Sequence, residues 1–550
     1  MAEPRSRLVH RIPVRVRHYW KLLATCALFL GVCAVVFSTV RVAPLVTSTS
    51  DSAEDPVTQD IAGTVDLFDA SVAHRVSLTF RDSDYQRLLD EFWDEGEKDF
   101  LEADITIDGT RIASVGIRLK GNSTLAGLTR DGKSRPNGFG AGRPDAGGAQ
   151  QRQPNAPGGG FPGGAQGGAP PGGAQGGGPG GAQGGGFGRA SLKAEEPETL
   201  PWLIRFDEFV DGRRYQGHRE IAVRVAGMGG GSTVLNEAVS LHTLAAAGQT
   251  AQRYAYTGFT VNDRPTTARL LVEHPDEGFA DTLGGHGVLY KSLASGSFTD
   301  KGDDPTAYAA DFKQITMKGS QDLQPVINLI RWVSTSSDAE FDAHLAEHID
   351  VESFARYTAI QNLLLNFDDM AGPGRNYYLW YDLTTKKFSV VGWDYNLTFS
   401  GNATQGPNEQ GRMGGGRFPQ NGGAPQDFQP PQDFPLPEGM QPPEGMQPPG
   451  GNAPGGQGGR GIGGLGGHKL KERFLASTAF KSVYENAYRD LYRKIYANGA
   501  AANALDSIST VLSTVDGYDA QKGATDVEQL RTLIRQRTEH LATDSVITGG

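Results

Sequence analysis

The stretch that decides the fold runs Asn366-Phe-Asp-Asp-Met-Ala-Gly-Pro-Gly-Arg-Asn-Tyr-Tyr-Leu-Trp-Tyr381 and, after a turn and a short apolar strand, ends in Gly392-Trp-Asp-Tyr-Asn396. The segment Ala359–Leu365 before it reads as the end of a buried helix, so Asp368 or Asp369 opens a loop rather than sitting mid-helix. Tyr377–Tyr381 and Phe388–Val391 then read as a hairpin, whose far end returns Asp394 to the edge from which the loop started. Two carboxylates delivered to one edge by a loop and a strand end suit magnesium-dependent phosphoryl transfer: one orients the attacking hydroxyl, the other holds the metal on the phosphates. Asp and Asn serve equally as turn caps, so spacing alone leaves both readings open.

Upstream, the chain is strand-rich. Val76, Leu78 and Phe80 alternate, a helical stretch follows Asp82-Ser-Asp84, and Ala103–Ile107 with Ile112–Leu119 predicts a hairpin about Asp108-Gly109. Further strands are expected at Trp202–Phe209, Ile221–Val225, Tyr256–Val261 and Ala268–Val272, and a helix from Thr233 to Ala247 stopped by Gly248. Beyond Glu273 the pattern turns helical apart from the hairpin: Leu323–Val333, Ala339–His348, Val351–Leu365, and three segments near 470–497, 502–516 and 526–542. Strands first and helices after predict an α+β, two-lobed body beginning near His74, with residues 41–73 as a polar tether.

On the strand ending Val115-Gly-Ile-Arg118-Leu-Lys120, Arg118 and Lys120 share the face opposite Ile117 and Leu119, where a cation would pair with phosphate or simply be solvated. Gly227-Met-Gly-Gly-Gly-Ser232 before a helix invites a phosphate-loop reading, but lacks the Gly-Lys-Ser/Thr ending of a Walker motif. A flexible helix entry fits it better. There is no His-Glu-x-x-His and no Gly-x-Ser-x-Gly, which excludes the corresponding zinc and serine hydrolase signatures. Asn122-Ser-Thr124 matches a short glycosylation sequon.

Of 75 glycines, 23 fall within residues 136–190 and 21 within 401–467, without a Gly-X-Y period. These two low-complexity, Gly/Pro-rich inserts carry too few apolar residues to build a core and are expected to be disordered. The formal charge is −11, yet Arg5, Arg7, Arg11, Arg15, Arg17 and Lys21 make residues 1–21 basic, so the remainder stands near −16. An acidic body argues against a nucleic-acid partner. The uncharged run Leu22–Val40 is 19 residues long, a helix of about 28 Å, which fits a hydrocarbon core of ~30 Å. With the basic flank on the N-terminal side, this predicts a single-pass anchor and an extracytoplasmic body, or secretion if the segment is a cleaved signal. Cys26 and Cys33 are the only cysteines and lie inside that run, leaving the body without disulfides.

In combination, Arg118-Leu-Lys-Gly-Asn-Ser-Thr124, Phe206-Asp-Glu-Phe209, Leu271-Val-Glu-His-Pro-Asp-Glu-Gly-Phe279, Leu289-Tyr-Lys291, the Asp368 to Asp382 stretch and Gly392-Trp-Asp-Tyr-Asn396 resemble the CotH family of spore-coat-type atypical protein kinases. The likeness spans about 74–400 and 468–542. It implies a protein-kinase-like fold, with a strand-rich N-lobe and a helical C-lobe, that uses ATP and Mg²⁺ to phosphorylate Ser or Thr of a surface or coat protein. It also implies roles: Asp368 as catalytic base, Asp394, Asn376 and Asn396 on metal, and Lys120, Arg118, Glu237 and Glu273 around the nucleotide, Glu237 pairing with Lys120. Two departures stand out: Asn396 replaces the second acid of a Trp-Asp-x-Asp pattern, and Met228-Gly-Gly-Gly-Ser232 replaces an Asn- and Asp-bearing segment. The competing reading is a catalytically inactive coat-assembly protein on the same fold. The second insert follows Asp394 closely, where an activation segment would lie, which suggests a gate or substrate-docking arm.

Overall fold

The structure is a computed structural model that describes residues 56–121, 124–135, 192–226, 231–409 and 467–549, together with Thr25 and Phe29. The expectations for the basic tail, for the span 22–40 apart from those two residues, for Asn122 and Ser123, for residues 227–230, and for the inserts within 136–191 and 410–466 lie outside this set. Among the described residues no helix is long and apolar enough to cross a membrane. Residues 54–550 make up one compact unit.

Seven strands close a barrel: β1 (Ala73–Thr79), β2 (Leu101–Ile107), β3 (Thr110–Leu119), β4 (Trp202–Arg205), β5 (Glu220–Val223), β6 (Tyr254–Val261) and β7 (Thr267–Glu273). Around it the order is β5-β7-β6-β1-β2-β3-β4, and β4 pairs back onto β5. Only β6 and β1 run parallel in this barrel. The β2–β3 turn places both Asp108 and Gly109 at positive φ, the backbone a two-residue hairpin of matching twist requires. Alternating residues such as Leu78, Ile105, Ile117, Ile204 and Phe259 fill the interior and are fully buried. Helix α1 (Asp82–Asp94) adds Tyr85, Leu88, Leu89 and Phe92 to the same core.

The first insert does not divide this barrel. Leu128 pairs with Leu192 across it in a parallel bridge, and Leu119 pairs with Trp202, so the chain leaves and re-enters side by side. The tether is shorter than composition suggested. Gln59–Ile61 pairs in parallel with Arg213–Tyr215, and Leu67 is buried in the barrel core, so residues 56–73 belong to the body.

Beyond the barrel, mixed helix and strand confirm the α+β class. A second sheet has the order β9-β8-β10-β11, from β8 (Gly287–Ser292), β9 (Phe312–Gln314), β10 (Tyr377–Asp382) and β11 (Phe388–Gly392). The β10–β11 hairpin is the one expected from the sequence, whereas β8 and β9 fall in a region whose pattern reads as mostly helical. Strand β8 is buried along nearly its whole length, so it shows no polar–apolar alternation to read.

Helices α2 (Leu235–Ala246), α3 (Gln324–Thr335), α4 (Asp338–His348), α5 (Val351–Leu363), α6 (Lys469–Ala476), α7 (Lys481–Tyr492), α8 (Ala500–Leu512) and α9 (Ala520–Ala542) complete the body. Ser337 and Glu340 form a reciprocal capping box at the start of α4, and Asp350 caps α5 through Ser353 N. These helices and the second sheet enclose a separate hydrophobic core. Strands β6 and β7 serve both cores, Ala255, Phe259 and Leu271 facing the barrel while Tyr254, Tyr256, Leu270 and Val272 face outward to the helices.

Residues 401–409, assigned to the second insert by composition, are packed on the helices. Asn362 Nδ2 donates to Gly406 O and Glu409 O, at 3.1 and 2.7 Å, and Tyr484 OH donates to Pro407 O at 2.6 Å.

Candidate active site

Helix α5 ends at Leu363, and Leu365 adopts φ +51°, which turns the chain out of the helix and into Asn366-Phe-Asp368. The Asp368 carboxylate is buried and held by two donors, one of which also reaches the main chain. Gly374 N donates to Oδ1 at 2.5 Å, Asn376 Nδ2 donates to Oδ2 at 2.9 Å, and the same Nδ2 reaches the Asp368 carbonyl at 3.0 Å. Burial, reinforced by the charges of Asp394 and Asp369, pushes the Asp368 carboxyl up to about 7, against the pull of the Gly374 N–H and Asn376. Glycine is required beside it: a Cβ on Gly374 would stand 2.5 Å from Asp368 Oδ2 and 2.6 Å from Asn376 Nδ2. The neighbouring acid is occupied elsewhere. Asp369 is ion-paired with Lys471 of α6 and accepts Ala371 N at 2.8 Å, so the structure separates the two acids that spacing could not.

Strands β10 and β11 carry the chain back to Trp393 and to Asp394, whose φ of +59° breaks the strand. Three cations face the Trp393 indole: Arg224 at 4.9 Å, Lys120 at 5.1 Å and Lys291 at 5.6 Å from the ring centre. They arrive from separate elements: Lys120 follows β3, Arg224 follows β5, and Lys291 lies on β8. Burial together with Lys291 and Arg224 holds the Lys120 amine well below the ordinary lysine range. Burial and Lys313 lower Lys291 to about 8.

Glu237, on the first turn of α2, does not pair with Lys120. Its partner is Arg224, whose guanidinium also lies 3.2 Å from Asp394 Oδ1. Burial pushes the Glu237 carboxyl up while Arg224 opposes it. Arg224 takes the bridging place because it leaves β5 opposite both acids, a relation between β5, α2 and β11 that no linear motif encodes.

The remaining expected residues divide. Asn376 joins Asp368. Asn396 contributes its main-chain carbonyl, which accepts from Asn236 Nδ2 at 2.6 Å and so ties the Asp394 turn to α2. Arg118 lies 5.3 Å from the Phe100 ring, with its Nε buried and unbonded. The Glu273 side chain turns away, its Oε2 accepting Arg253 N at 3.0 Å. At the described end of the glycine-rich segment, Asp526 accepts Ser232 N and Oγ at 2.7 and 2.6 Å. One of the protein's own carboxylates thus occupies this helix entry.

Several buried polar atoms here have no hydrogen-bond partner: Glu237 Oε2, Arg224 Nε and Tyr378 OH, while Asp394 Oδ1 has only its ion-pair contact with Arg224. Groups of this kind call for a ligand or ordered water. Among the described residues no three His, Cys, Asp or Glu side chains form a ready metal cage. Magnesium needs none, because it binds through one or two carboxylates and completes its shell with phosphate oxygens and water. The oxygen donors of Asp394 and Asn376 fit that requirement. A cavity of about 310 Å³ lined by His74, Arg75, Asp108 and Asp516 contains none of these groups, so the site is located by its charges, not by cavity volume.

Compared with known families, residues 188–541 match the profile described as CotH kinase protein. The chain belongs to the CotH kinase family. No curated protein matches it. The CotH match holds Arg224, Glu237, Glu273, Lys291, Asp368, Asn376, Asp394 and Asn396, whereas Arg118 and Lys120 precede it. The motif order had extended the likeness upstream to residue 74. Pairing of β3 with β4 joins that upstream segment to the CotH region, with Lys120 N donating to Pro201 O at 3.0 Å.

Proposed function

We propose that this protein transfers the γ-phosphoryl group of ATP to a Ser or Thr hydroxyl of a surface or coat protein, outside the cytoplasm and anchored through residues 22–40. The observation that carries the reading is the convergence on one indole of the Lys120 amine and the Arg224 guanidinium, beside Asp394 and within charge range of a raised Asp368. The barrel would act as the nucleotide-holding lobe and the second sheet with its helices as the catalytic lobe.

In this reading Asp368 accepts the proton of the attacking hydroxyl as its oxygen bonds to the γ-phosphorus and the bridging bond to ADP breaks. A carboxylate tuned to about 7 can take that proton near neutral pH. Asn376 and Gly374 fix its orientation, and Lys120 binds phosphate oxygens. Arg224, ion-paired with Glu237 and 3.2 Å from Asp394 Oδ1, holds the two acids in register. Mg²⁺, when bound, would be held by Asp394 with Asn376 and Asn396, and would neutralise charge on the transferred phosphate.

Asn396, where the family pattern has an acid, favours a second reading in which the site binds nucleotide without turnover. Incubating the full-length chain with Mg-ATP and a candidate coat protein, followed by intact-mass measurement, separates phosphate transfer, adenylate transfer and no transfer. Phosphate transfer that disappears in Asp394→Ala, with an unchanged melting profile, is the result expected. Equal transfer by the variant overturns the assignment, and a Mg-ATP-dependent rise in Tm without transfer selects the binding reading.

A further inference from the structure

Lys291 was not among the residues the sequence pointed to as a site, although it lies in the Leu289-Tyr-Lys291 motif. Its amine faces both Trp393 and Tyr378 at 5.6 Å from each ring centre. Among the described residues no carboxylate forms an ion pair with it. Glu220, the acid whose charge it feels most, is engaged by His274 at 3.0 Å and Arg205 at 3.8 Å. Other cations crowd it, since Lys313, Arg118, Arg224 and Lys120 all lie in the same neighbourhood. The adjoining Tyr378 hydroxyl is fully buried and has no hydrogen-bond partner.

A lysine kept for packing alone would be expected to bury its stem and send its charge to water. Here the amine is held among like charges and aromatic faces, with the charges of Glu220 and Asp394 in range but neither carboxylate ion-paired with it. That arrangement is costly in the absence of an anion and favourable in its presence.

We infer that Lys291 and Tyr378 form the floor of the phosphate site: Lys291 is a third phosphate-binding cation, brought by the second sheet to meet Lys120 and Arg224 from the barrel. The inference rests on the phosphoryl-transfer reading above. It adds that both halves of the body must grip one polyphosphate, and that affinity here is for the phosphate chain and not the base.

The test is calorimetric binding to the full-length chain of three probes with Mg²⁺: ATP, inorganic tripolyphosphate and adenosine. Lys291→Met should weaken ATP and tripolyphosphate by roughly tenfold or more, as expected for loss of a charge-assisted contact, and leave adenosine unchanged. Lys291→Arg should recover most of the loss, and Tyr378→Phe should weaken the same two probes to a smaller extent. Unchanged tripolyphosphate affinity in a folded Lys291→Met variant overturns the inference while leaving the kinase reading standing. Wild-type protein that binds neither ATP nor tripolyphosphate overturns both.

Discussion

The guanidinium of Arg224 is shared between Glu237, its ion-pair partner on α2, and Asp394, 3.2 Å away at the end of β11. Both acids lie beside the core enclosed by the helices and the second sheet, and among the described residues Arg224 ion-pairs with the two of them. Replacing it by Met leaves the Glu237 carboxylate buried and uncompensated. We expect Arg224→Met to lose about 3–5 kcal/mol of stability, the usual cost of removing one member of a buried pair. Adding Glu237→Gln should restore part of that loss. Denaturant titrations of the two variants check this, and a single-variant loss below about 1 kcal/mol would contradict the pairing.

The Asp368 carboxyl is raised from an ordinary 3.8 to about 7, so the folded protein holds a proton there that the unfolded chain has released. Its contribution to stability is therefore complete below about pH 4 and is lost as pH rises through about 7. Activity runs the other way: a base must be ionised, so phosphate transfer should climb with pH through the same range. Asp368→Asn should abolish transfer and, at pH 8, gain on the order of 1–2 kcal/mol relative to wild type, a gain that fades by pH 4. Parallel melts at the two pH values give the answer.

Gly374 has no space for a side chain because Asp368 Oδ2 and Asn376 Nδ2 occupy the Cβ position. Gly374→Ala must displace one of them. Stability should fall by about 1–3 kcal/mol, and the rate of transfer should fall by more than that change would imply, roughly 100-fold. Steady-state kinetics on the folded variant would show the loss in kcat with little change in the KM for ATP.

Arg537 is fully buried and donates to the Ala403 carbonyl at 3.2 Å and to Gln405 O, as well as to Asn362 O at 3.0 Å. Removal of residues 410–466, bridged by a short Gly-Ser linker, should leave Tm within a few degrees of wild type. Extending the deletion back to residue 402 strips that guanidinium of two acceptors and should cost about 2–5 kcal/mol. Equal melting of the two deletions would show that the 401–409 segment contributes nothing.

The chemistry of single segments was legible in the linear sequence. Hairpins carry their own turn signals, so β2–β3 about Asp108-Gly109 and β10–β11 were found, and with them the return of Asp394 toward Asp368. Helix ends carry capping and apolar-period signals, which placed Asp368 at a boundary. Glycine-rich composition located the two inserts, though not their edges. Residues 401–409 look like low complexity and are held by side chains from α5, α7 and α9, distant in sequence.

What the sequence by itself determined was the α+β class, the family resemblance and the return of Asp394 to the neighbourhood of Asp368, because local pattern and residue type suffice for these. Only the tertiary structure set Asp368 and Asp369 in different surroundings, by pairing Asp369 with Lys471 more than 100 residues away. It alone paired Glu237 with Arg224 instead of Lys120, turned Glu273 away from the site, and brought Lys291 beneath Trp393. The physical reason is common to all four. A charged side chain buried in a protein is governed by whichever opposite charge or aromatic face the packing of remote elements sets against it, and that partner leaves no mark in neighbouring residues.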